Sequence, residues 1–222
     1  MIGARAIGRV CDAPYGRRGP VRLAIKRIFD MTFAAAALVV LSPVMLIAAW
    51  MVKRSGPGPV FYRGVRAGML GIPFRIFKFR TMVTNAELLG GPTTGTNDPR
   101  VTPIGAFLRR TKLDELPQFI NVLAGQMSLV GPRPEVLEYT DQYRGEEKSI
   151  LSMRPGITDY ASVEFADLDD LVGSEDPDGY FRKNILPHKN ALRIKYVREW
   201  SLVSDFRILW ATLHRVLKKL VA

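Results

Sequence analysis

The longest apolar run of the chain covers residues 28–52, and Asp30 is its only charged residue. An unbroken helix of this length would extend about 37 Å, enough to cross a hydrocarbon core of about 30 Å. Ser42-Pro43 lies in the middle of the run, where proline removes a backbone donor and clashes with the preceding turn. The pattern therefore predicts either one membrane-spanning helix or two shorter helices joined by a bend at Ser42-Pro43.

Basic residues flank the apolar run on both sides, namely Arg22, Lys26 and Arg27 before it and Lys53 and Arg54 after it. Because basic flanks favour the cytoplasmic side, this distribution favours a re-entrant helix-turn-helix over residues 22–54. The Ser42 hydroxyl can bond the carbonyl that Pro43 frees. A carboxylate at membrane depth needs a cation, so we expect Asp30 to pair with Arg27 or a cation of the globular part. Charge and hydrophobicity alone leave the single span and the hairpin open.

Two segments rich in aromatic and β-branched residues follow the apolar run. Residues 60–65 and 74–80 are separated by a turn that contains glycine and proline, and they predict a small β-hairpin or sheet. Since side chains alternate between the two faces of a strand, Lys78 and Arg80 would share one face and could contact a single anion. Two solvated cations on a strand would give the same pattern.

Apolar residues recur at helical spacing through the rest of the chain. The spacing predicts helices over residues 82–89, 113–123, 136–151, 191–199 and 205–222, and the composition of residues 90–97 predicts a flexible loop. The last helix is basic and amphipathic, which is typical of an interfacial helix, although core packing would use the same spacing. We predict an α+β fold, with a compact, mainly helical domain over residues 55–204 and a surface helix over residues 205–222.

Two adjacent carboxylates, Asp114 and Glu115, open the predicted central helix. Thr111 is a suitable N-cap for this helix and Gly125 a suitable end. Neighbouring residues on a helix point about 100° apart, so we expect one carboxylate to act as nucleophile or metal ligand and the other as acid, base or second ligand. Two carboxylates that only complement the helix dipole would give the same pattern.

The net charge of +11 is concentrated in the first half of the chain. Residues 1–113 contain eighteen Lys and Arg against four Asp and Glu, whereas residues 114–222 contain fourteen against seventeen. The basic half begins with a predicted flexible tail over residues 1–21. Such a charge suits nucleic acid, anionic lipid or phosphorylated substrates. The cations surround the apolar run and do not interleave with aromatic residues, which favours lipid and phosphate over nucleic acid.

Several kinds of site are excluded by the residues themselves. Cys11 is the only cysteine, which excludes an internal disulfide, and no Cys or His spacing typical of zinc occurs. Residues 164–178 contain seven acids and no cation, and this pattern favours a solvated loop or helix face. Nothing in the sequence specifies an oligomeric state.

A series of motifs resembles one known family. Residues 107–135 read FLRRTKLDELPQFINVLAGQMSLVGPRPE, and the blocks SGPGPVFYRGVRAG, FKFRTM, NDPRVTPIG and RPGIT begin at Ser55, Phe77, Asn97 and Arg154. Together they resemble the core signature of the bacterial sugar transferases, the monotopic phosphoglycosyl transferases that begin glycan assembly on a polyprenol phosphate. The resemblance covers most of the chain between residues 22 and 160.

This resemblance implies a two-step exchange. The Asp114 carboxylate would attack the β-phosphorus of a UDP-sugar and release UMP, and undecaprenyl phosphate would then take the phosphosugar from the aspartyl intermediate. Glu115 is implied as the essential partner carboxylate and Mg²⁺ as the cofactor, with Asp114 as its ligand. The residues that fall in blocks resembling the phosphate and nucleotide contacts are Arg133, Arg109, Lys78, Arg80 and Arg100.

The resemblance also implies a monotopic protein on the cytoplasmic face of the bacterial inner (plasma) membrane, in contact with an anionic lipid bilayer and without nucleic acid. A transferase that moves only the sugar and a membrane-tethered nucleic-acid-binding protein are the alternatives. After RPGIT the family pattern continues with glycine, a small residue and Ala-Gln-Val, whereas this chain has Asp159-Tyr160-Ala161-Ser162-Val163. The sugar stays open between an N-acetylated amino sugar, which a loose resemblance favours, and a plain hexose.

Overall fold

The computed structural model describes residues 19–95, 97–166, 171–173 and 176–221, and it has the predicted α+β class. The α-helices are α1 (Pro20–Val40), α2 (Ser42–Arg54), α3 (Pro103–Arg110), α4 (Gln118–Leu123), α5 (Leu137–Thr140), α6 (Tyr160–Glu164), α7 (Pro177–Tyr180), α8 (Leu186–Glu199) and α9 (Leu202–Val221). The strands are β1 (Phe61–Tyr62), β2 (Val65–Ala67), β3 (Pro73–Arg75), β4 (Lys78–Phe79), β5 (Ser128–Val130) and β6 (Gly156–Thr158). Of the predicted basic tail, residues 1–18 lie outside the described residues.

The apolar run forms helices α1 and α2, which meet at Leu41 with a bend of 64°. The Ser42 hydroxyl donates to the Val39 carbonyl at 2.7 Å, the group that an amide at position 43 would otherwise contact. The predicted bend and its hydroxyl bond are therefore confirmed. Judged by length and apolar character, no helix in the described part of the chain could cross a membrane alone, whereas the bent pair could do so together.

Polar contacts attach α1 to the globular part. Arg27 donates to the Val122 carbonyl at 2.7 Å, at the end of α4. Asp30 accepts a hydrogen bond from the Ser128 hydroxyl at 2.6 Å and lies 3.7 Å from the ammonium of Lys26. The prediction that Asp30 pairs with Arg27 or with a cation of the globular part is wrong, because Asp30 pairs with Lys26 of the same helix and Arg27 donates to carbonyls at the end of α4.

Arg80 attaches α2 to the β-hairpin. Its guanidinium donates to the carbonyls of Val52 at 3.0 Å and Gly56 at 2.8 Å, and also to that of Pro57. These carbonyls lie at and beyond the end of α2, where helical partners are lacking. The prediction that Arg80 and Lys78 bind one anion together is therefore wrong, because Arg80 is occupied by the backbone that follows α2.

The two predicted strands form antiparallel pairs as expected, but each is divided in two. Strand β1 pairs with β4, with Phe61 opposite Phe79, and β2 pairs with β3. Between β3 and β4 the Phe77 amide donates to the Asn121 side chain at 2.8 Å, so a residue of α4 replaces a ladder bond. A further sheet joins β5 and β6 in parallel.

The largest apolar core surrounds β5 and includes residues of α1, α4, α8 and α9. Its buried members are Ala34, Phe74, Ile76, Val122, Met127, Leu129, Val130, Met153, Tyr196, Val197 and Ile208. The Tyr196 hydroxyl donates to Asp205 at 2.7 Å, and Asp205 also accepts from Lys26 at 2.7 Å. This polar cluster joins α1, α8 and α9 at the edge of the core.

The predicted helix that contains the carboxylate pair begins later than expected. Thr111, predicted as its N-cap, ends α3 instead, and its hydroxyl donates to the Phe107 carbonyl at 2.9 Å. Lys112 follows with a φ of 59°, a left-handed conformation that interrupts any continuous helix. Helix α4 starts only at Gln118. The predicted end is confirmed, because Gly125 follows the helix with a φ of 81°.

Two other predicted helices are wrong in extent. Residues 82–89 contain only a 3₁₀ turn after Asn85, whose φ is 71°. Residues 136–151 are divided between α5 and a 3₁₀ helix that begins at Gly145, where φ is 50°. The helix predicted over residues 191–199 is confirmed as part of α8.

Helix α9 confirms the predicted terminal helix and has two apolar faces. Ile208 is 2% exposed and packs into the core, whereas Phe206, Trp210, Leu213 and Leu217 are each more than half exposed. Core packing, one of the two expected uses of the spacing, is therefore present, and the other face leaves large apolar side chains exposed. Its location at a membrane interface stays a prediction.

We predict that Gly105→Ala destabilises the fold, because α3 begins in close contact with Thr81. A Cβ atom at position 105 would lie 1.9 Å from the Thr81 carbonyl oxygen. Overpacking of this kind costs about 3 kcal/mol, which thermal unfolding of the detergent-solubilised protein would show as a lower melting temperature. Gly19→Ala is the control, since a Cβ there meets nothing within 4 Å. Equal melting temperatures for the two variants would contradict the close contact.

Candidate active site

The carboxylate pair lies on a 3₁₀ turn, Leu113–Glu115, between α3 and α4. Lys112 enters the turn with its left-handed backbone, a conformation that costs a non-glycine residue roughly 1–3 kcal/mol. Leu113 packs against a cluster that contains Val52 of α2 and Phe79 of β4. The turn is thus fixed by contacts with α2 and with the β-hairpin, and these contacts maintain its strained backbone.

Asp114 and Glu115 have different surroundings, although both are largely buried. One oxygen of Glu115 accepts two hydrogen bonds. The first comes from the Lys78 ammonium at 2.8 Å and the second from the Arg133 guanidinium. In the described part of the chain, no hydrogen bond ends on the Asp114 carboxylate, whose residue is 6% exposed. Glu115 is therefore fixed by two cations, whereas the oxygens of Asp114 stay available to another partner.

Burial is the largest influence on the pKa of both carboxyl groups. For Asp114, burial and the neighbouring charge of Glu115 outweigh the attraction of Lys78, so its pKa is raised. For Glu115, burial also acts upwards, but Arg133, Lys78 and Lys112 together outweigh it and lower the pKa well below its ordinary value. The pair thus contains one firmly ionised carboxylate, Glu115, and one more basic carboxylate, Asp114, which is the better nucleophile.

Arg133 is positioned through its backbone as well as its side chain. Its amide donates to Asp159 at 2.9 Å, and its guanidinium donates to the Ile157 carbonyl at 2.7 Å. The other oxygen of Asp159 accepts from the Ser162 amide at 2.6 Å and so caps α6. Glu115 raises the pKa of Arg133 against the opposing effect of burial. The Arg133 side chain is therefore an ionised donor with a fixed direction.

Further buried charges support Arg133, and they were not among the residues predicted from the sequence. Arg193 donates to Asp159 at 3.3 Å and to Glu135 at 2.7 Å. Lys189 lies 4.0 Å from Glu135, and burial lowers the pKa of Lys189 to about 8. One residue of this cluster is visible in the sequence as a departure from the family pattern: Asp159 stands where the family that the chain resembles has glycine.

Arg109 lies beside the pair but bonds elsewhere. Its guanidinium donates to the hydroxyls of Thr81 and Thr94, both at 3.0 Å. The charge of Arg109 opposes the rise in the pKa of Asp114, so Arg109 lies within electrostatic reach of that carboxylate. Arg109 therefore links the carboxylate pair to the loop of residues 90–97.

Arg100 and Arg80 are not brought to the carboxylate pair. Arg100 forms an ion pair with Asp98 at 2.6 Å and donates to the Gly91 carbonyl at 2.9 Å, so it organises the loop of residues 90–97. Arg80 bonds the carbonyls beyond α2, as described above. Of the seven predicted site residues, the structure brings together Asp114, Glu115, Lys78 and Arg133, with Arg109 adjacent.

Within the acidic segment of residues 164–178, Asp178 has a more specific role than the expected solvated face. Asp178 accepts from the hydroxyls of Thr93, at 2.9 Å, and Tyr139, and from Arg182 at 2.7 Å. It therefore attaches the loop of residues 90–97 to α5 and α7. The exposed Glu164 pairs with His188. The acids outside the described residues are Asp167, Asp169, Asp170 and Glu175.

The donor set around Asp114 fits Mg²⁺ only together with a ligand. Within the described residues, no group of three or more His, Cys, Asp or Glu side chains could hold a metal ion. Mg²⁺ in proteins is commonly bound by one or two carboxylates, with waters and substrate phosphates completing its octahedron. The carboxylate of Asp114 suits this mode, whereas one oxygen of Glu115 already contacts two cations.

Buried cations around a basic carboxylate form a site suited to phosphorylated ligands. The family model of the bacterial sugar transferases matches residues 21–219, and the chain belongs to this family.

Relatives of known name match most of the length of this chain. The UDP-glucose:undecaprenyl-phosphate glucose-1-phosphate transferase of Escherichia coli (strain K12) is 40% identical over 196 residues, which cover 86% of this chain and 40% of the relative. The UDP-N-acetylgalactosamine-undecaprenyl-phosphate N-acetylgalactosaminephosphotransferase of Aeromonas hydrophila is 41% identical over 171 residues, 74% of this chain and 40% of the relative. The exopolysaccharide production protein PSS of Rhizobium leguminosarum bv. phaseoli is 37% identical over 201 residues, which cover 86% of this chain and 94% of the relative. The chain thus spans well under half of the first two relatives and nearly all of the third.

We predict that Glu115→Gln lowers the pKa of Asp114. The substitution removes a neighbouring negative charge that raises this pKa, and it frees Lys78 and Arg133 to interact with Asp114. Carbon NMR of protein labelled at the aspartate carboxyl groups would follow the titration. Glu164→Gln is the matched control, since Glu164 is exposed and pairs with His188. An unchanged Asp114 titration in Glu115→Gln would contradict the coupling of the pair.

Proposed function

We propose that this protein transfers a phosphosugar from a UDP-sugar to undecaprenyl phosphate and releases UMP, as the initiating membrane step of bacterial polysaccharide or glycoconjugate assembly. The observation that carries the proposal is the buried carboxylate of Asp114 beside a second carboxylate that Lys78 and Arg133 hold. Family membership and the names of the relatives, which are sugar-phosphate transferases, support it.

In the first step, an oxygen of Asp114 attacks the β-phosphorus of the UDP-sugar. A phosphorus–oxygen bond to Asp114 forms, and the bond between the β-phosphorus and the bridging oxygen breaks. UMP leaves with that oxygen and its bonding electrons, and the phosphosugar stays on Asp114. The raised pKa of Asp114 favours this role, because a more basic carboxylate is a stronger nucleophile.

Cations make this approach possible. A carboxylate can reach an anionic diphosphate only where positive charge offsets their repulsion. Ionised Glu115 holds Lys78 and Arg133 beside Asp114 before any substrate arrives, so little reorganisation is needed during the reaction. Arg109, whose guanidinium faces two threonine hydroxyls, would add a further contact to the nucleotide phosphates.

Mg²⁺ is the cofactor in this proposal, bound by Asp114 together with oxygens of the diphosphate. When bound, it would neutralise charge on the diphosphate and on the departing UMP. The protein's own contribution is the carboxylate of Asp114 and the surrounding cations, which place the nucleophile and offset the remaining charge.

In the second step, a phosphate oxygen of undecaprenyl phosphate attacks the same phosphorus. The bond to Asp114 breaks, the carboxylate is restored, and a polyprenyl diphosphate sugar forms. The acceptor phosphate lies at the headgroup plane, so the reaction requires a site at that height. The α1–α2 hairpin and the exposed apolar face of α9 would anchor the protein to the cytoplasmic face of the inner membrane.

We expect the full chain, supplied with Mg²⁺ and undecaprenyl phosphate, to release UMP from one or more members of a UDP-sugar panel. The panel includes UDP-glucose and UDP-N-acetylgalactosamine, since the relatives' names contain both sugars. UDP as the product would instead indicate transfer of the sugar alone. Release of neither nucleotide, together with retention of a labelled oligonucleotide, would support the nucleic-acid-binding alternative.

Without an acceptor, a UDP-sugar labelled at the β-phosphorus should leave its label on the protein, within the peptide that contains Asp114. Asp114→Asn should show no labelling and lose activity by roughly 10³-fold or more, since it lacks the nucleophile. Asp141→Asn, which changes an exposed carboxylate, serves as the control. Normal labelling of Asp114→Asn would eliminate Asp114 as the nucleophile.

Membrane association should survive a salt wash. At about 1 M salt the Debye length is only about 3 Å, so attraction between exposed basic residues and anionic lipid is largely lost. Burial of the apolar α1–α2 hairpin is insensitive to this screening, and we expect the protein to stay in the membrane pellet. Release of the whole protein by salt alone would exclude insertion of the hairpin.

A further inference from the structure

A chain of buried charges leads from the carboxylate pair to helix α8, and the reaction proposed above does not use its far end. Glu115 binds the Arg133 side chain, and the Arg133 amide binds Asp159. Asp159 in turn accepts from Arg193, which also donates to Glu135. Arg193 is completely buried, with 0% of its surface exposed. A guanidinium is costly to bury, and here two carboxylates from separate segments compensate it.

The two carboxylates lie on either side of Arg133. Glu135 directly follows the Pro132-Arg133-Pro134 turn, two residues after Arg133. Asp159 accepts a hydrogen bond from the backbone amide of Arg133. Arg193 bonds both carboxylates at once, through Nε to Asp159 and through Nη2 to Glu135. A single side chain of α8 therefore contacts both carboxylates that flank the Arg133 backbone, in addition to the backbone hydrogen bonds that hold the turn.

We propose that Arg193 is a positioning residue for the phosphosugar transfer: through Asp159 and Glu135 it fixes the turn that carries Arg133, and so directs the Arg133 guanidinium onto Glu115. The inference rests on the proposed function. Arg193 acts on the reacting groups only through other residues.

A purely structural role accounts less well for this arrangement. A buried ion pair can often be replaced by apolar residues of similar volume without loss of stability, so packing of α8 alone does not call for charges here. Asp159 stands where the family pattern has glycine, so this chain adds a buried charge that Arg193 compensates. A planar guanidinium with two directed bonds restricts geometry in a way that apolar packing does not.

Arg193→Lys tests the proposal, because it keeps the charge but loses the two directed bonds. The carboxylate pair is surrounded by the cations Arg133, Lys78, Lys112 and Arg109. Displacement of Arg133 would remove part of this positive charge. The acid limb of the pH–rate profile, measured as kcat/KM for UMP release, should therefore move to higher pH by roughly half a unit or more. The rate at the optimum should fall about tenfold or more. An acid limb at the wild-type position would overturn the positioning role.

A double-mutant cycle tests the route of the effect. If Arg193 acts through Arg133, then Arg133→Lys combined with Arg193→Lys should be no slower than Arg133→Lys alone. Losses that multiply would show that the two residues act independently and would overturn the proposal. Arg198→Lys is the matched control on the same helix, since Arg198 pairs with the exposed Glu146 and should keep the wild-type pH profile.

Asp159→Asn is the second variant, in case Arg193→Lys does not fold, as its melting temperature would show. The Arg133 and Ser162 amides bond different oxygens of Asp159, so the single oxygen of asparagine keeps an acceptor for one of them. The variant also loses the charge that binds Arg193, and a smaller shift in the same direction is expected. An unmoved acid limb in this folded variant would likewise contradict the proposal.

Failure of the proposed function is distinguishable from failure of this inference. UMP release by the wild-type chain tests the function alone. If the wild type releases no UMP, hydrogen exchange of the Arg133 amide, which donates to Asp159, replaces the rate measurement. An unchanged exchange rate of this amide in Arg193→Lys would then overturn the positioning role, and a faster exchange rate would support it.

Discussion

The interaction on which the site depends is the pair of hydrogen bonds that Glu115 accepts from Lys78 and Arg133. Lys78 belongs to β4 and Arg133 to the turn after β5, so one carboxylate oxygen joins two segments that are distant in the sequence. Each partner is mostly buried, and removal of one would leave the others with less compensation of their charges. This mutual dependence keeps the cations beside Asp114, whose own carboxylate stays available.

Many of the basic residues stabilise backbone rather than substrate. Arg27 donates to the end of α4, Arg80 to the end of α2, and Arg100 to the loop of residues 90–97. In each case a guanidinium donates to carbonyls at a helix end or in a loop, for which its several donors are suited. The net positive charge of the first half of the chain therefore overstates the number of cations available to lipid or phosphate.

These contacts also connect the apolar hairpin to the chemistry. Leu113, at the start of the turn with the carboxylate pair, packs in one cluster with Val52 of α2, and Arg27 of α1 binds the helix that follows the pair. A hairpin fixed in this way has a defined position relative to Asp114. In the proposed function, this connection would place Asp114 at the plane of the acceptor phosphate.

The sequence by itself determined the bend at Ser42-Pro43, the α+β class and the amphipathic α9, because local periodicity and residue chemistry carry these signals. Its resemblance to the family also indicated Asp114, Glu115, Lys78 and Arg133 as site residues, and the structure brings these four together. Only the tertiary structure decided what Arg80 and Arg100 bind, since carbonyls left free by a helix end or a loop leave no mark in sequence. It also revealed the left-handed Lys112 and the Asp159–Arg193 pair. Strained backbone and buried ion pairs depend on contacts between distant segments, which no local pattern contains.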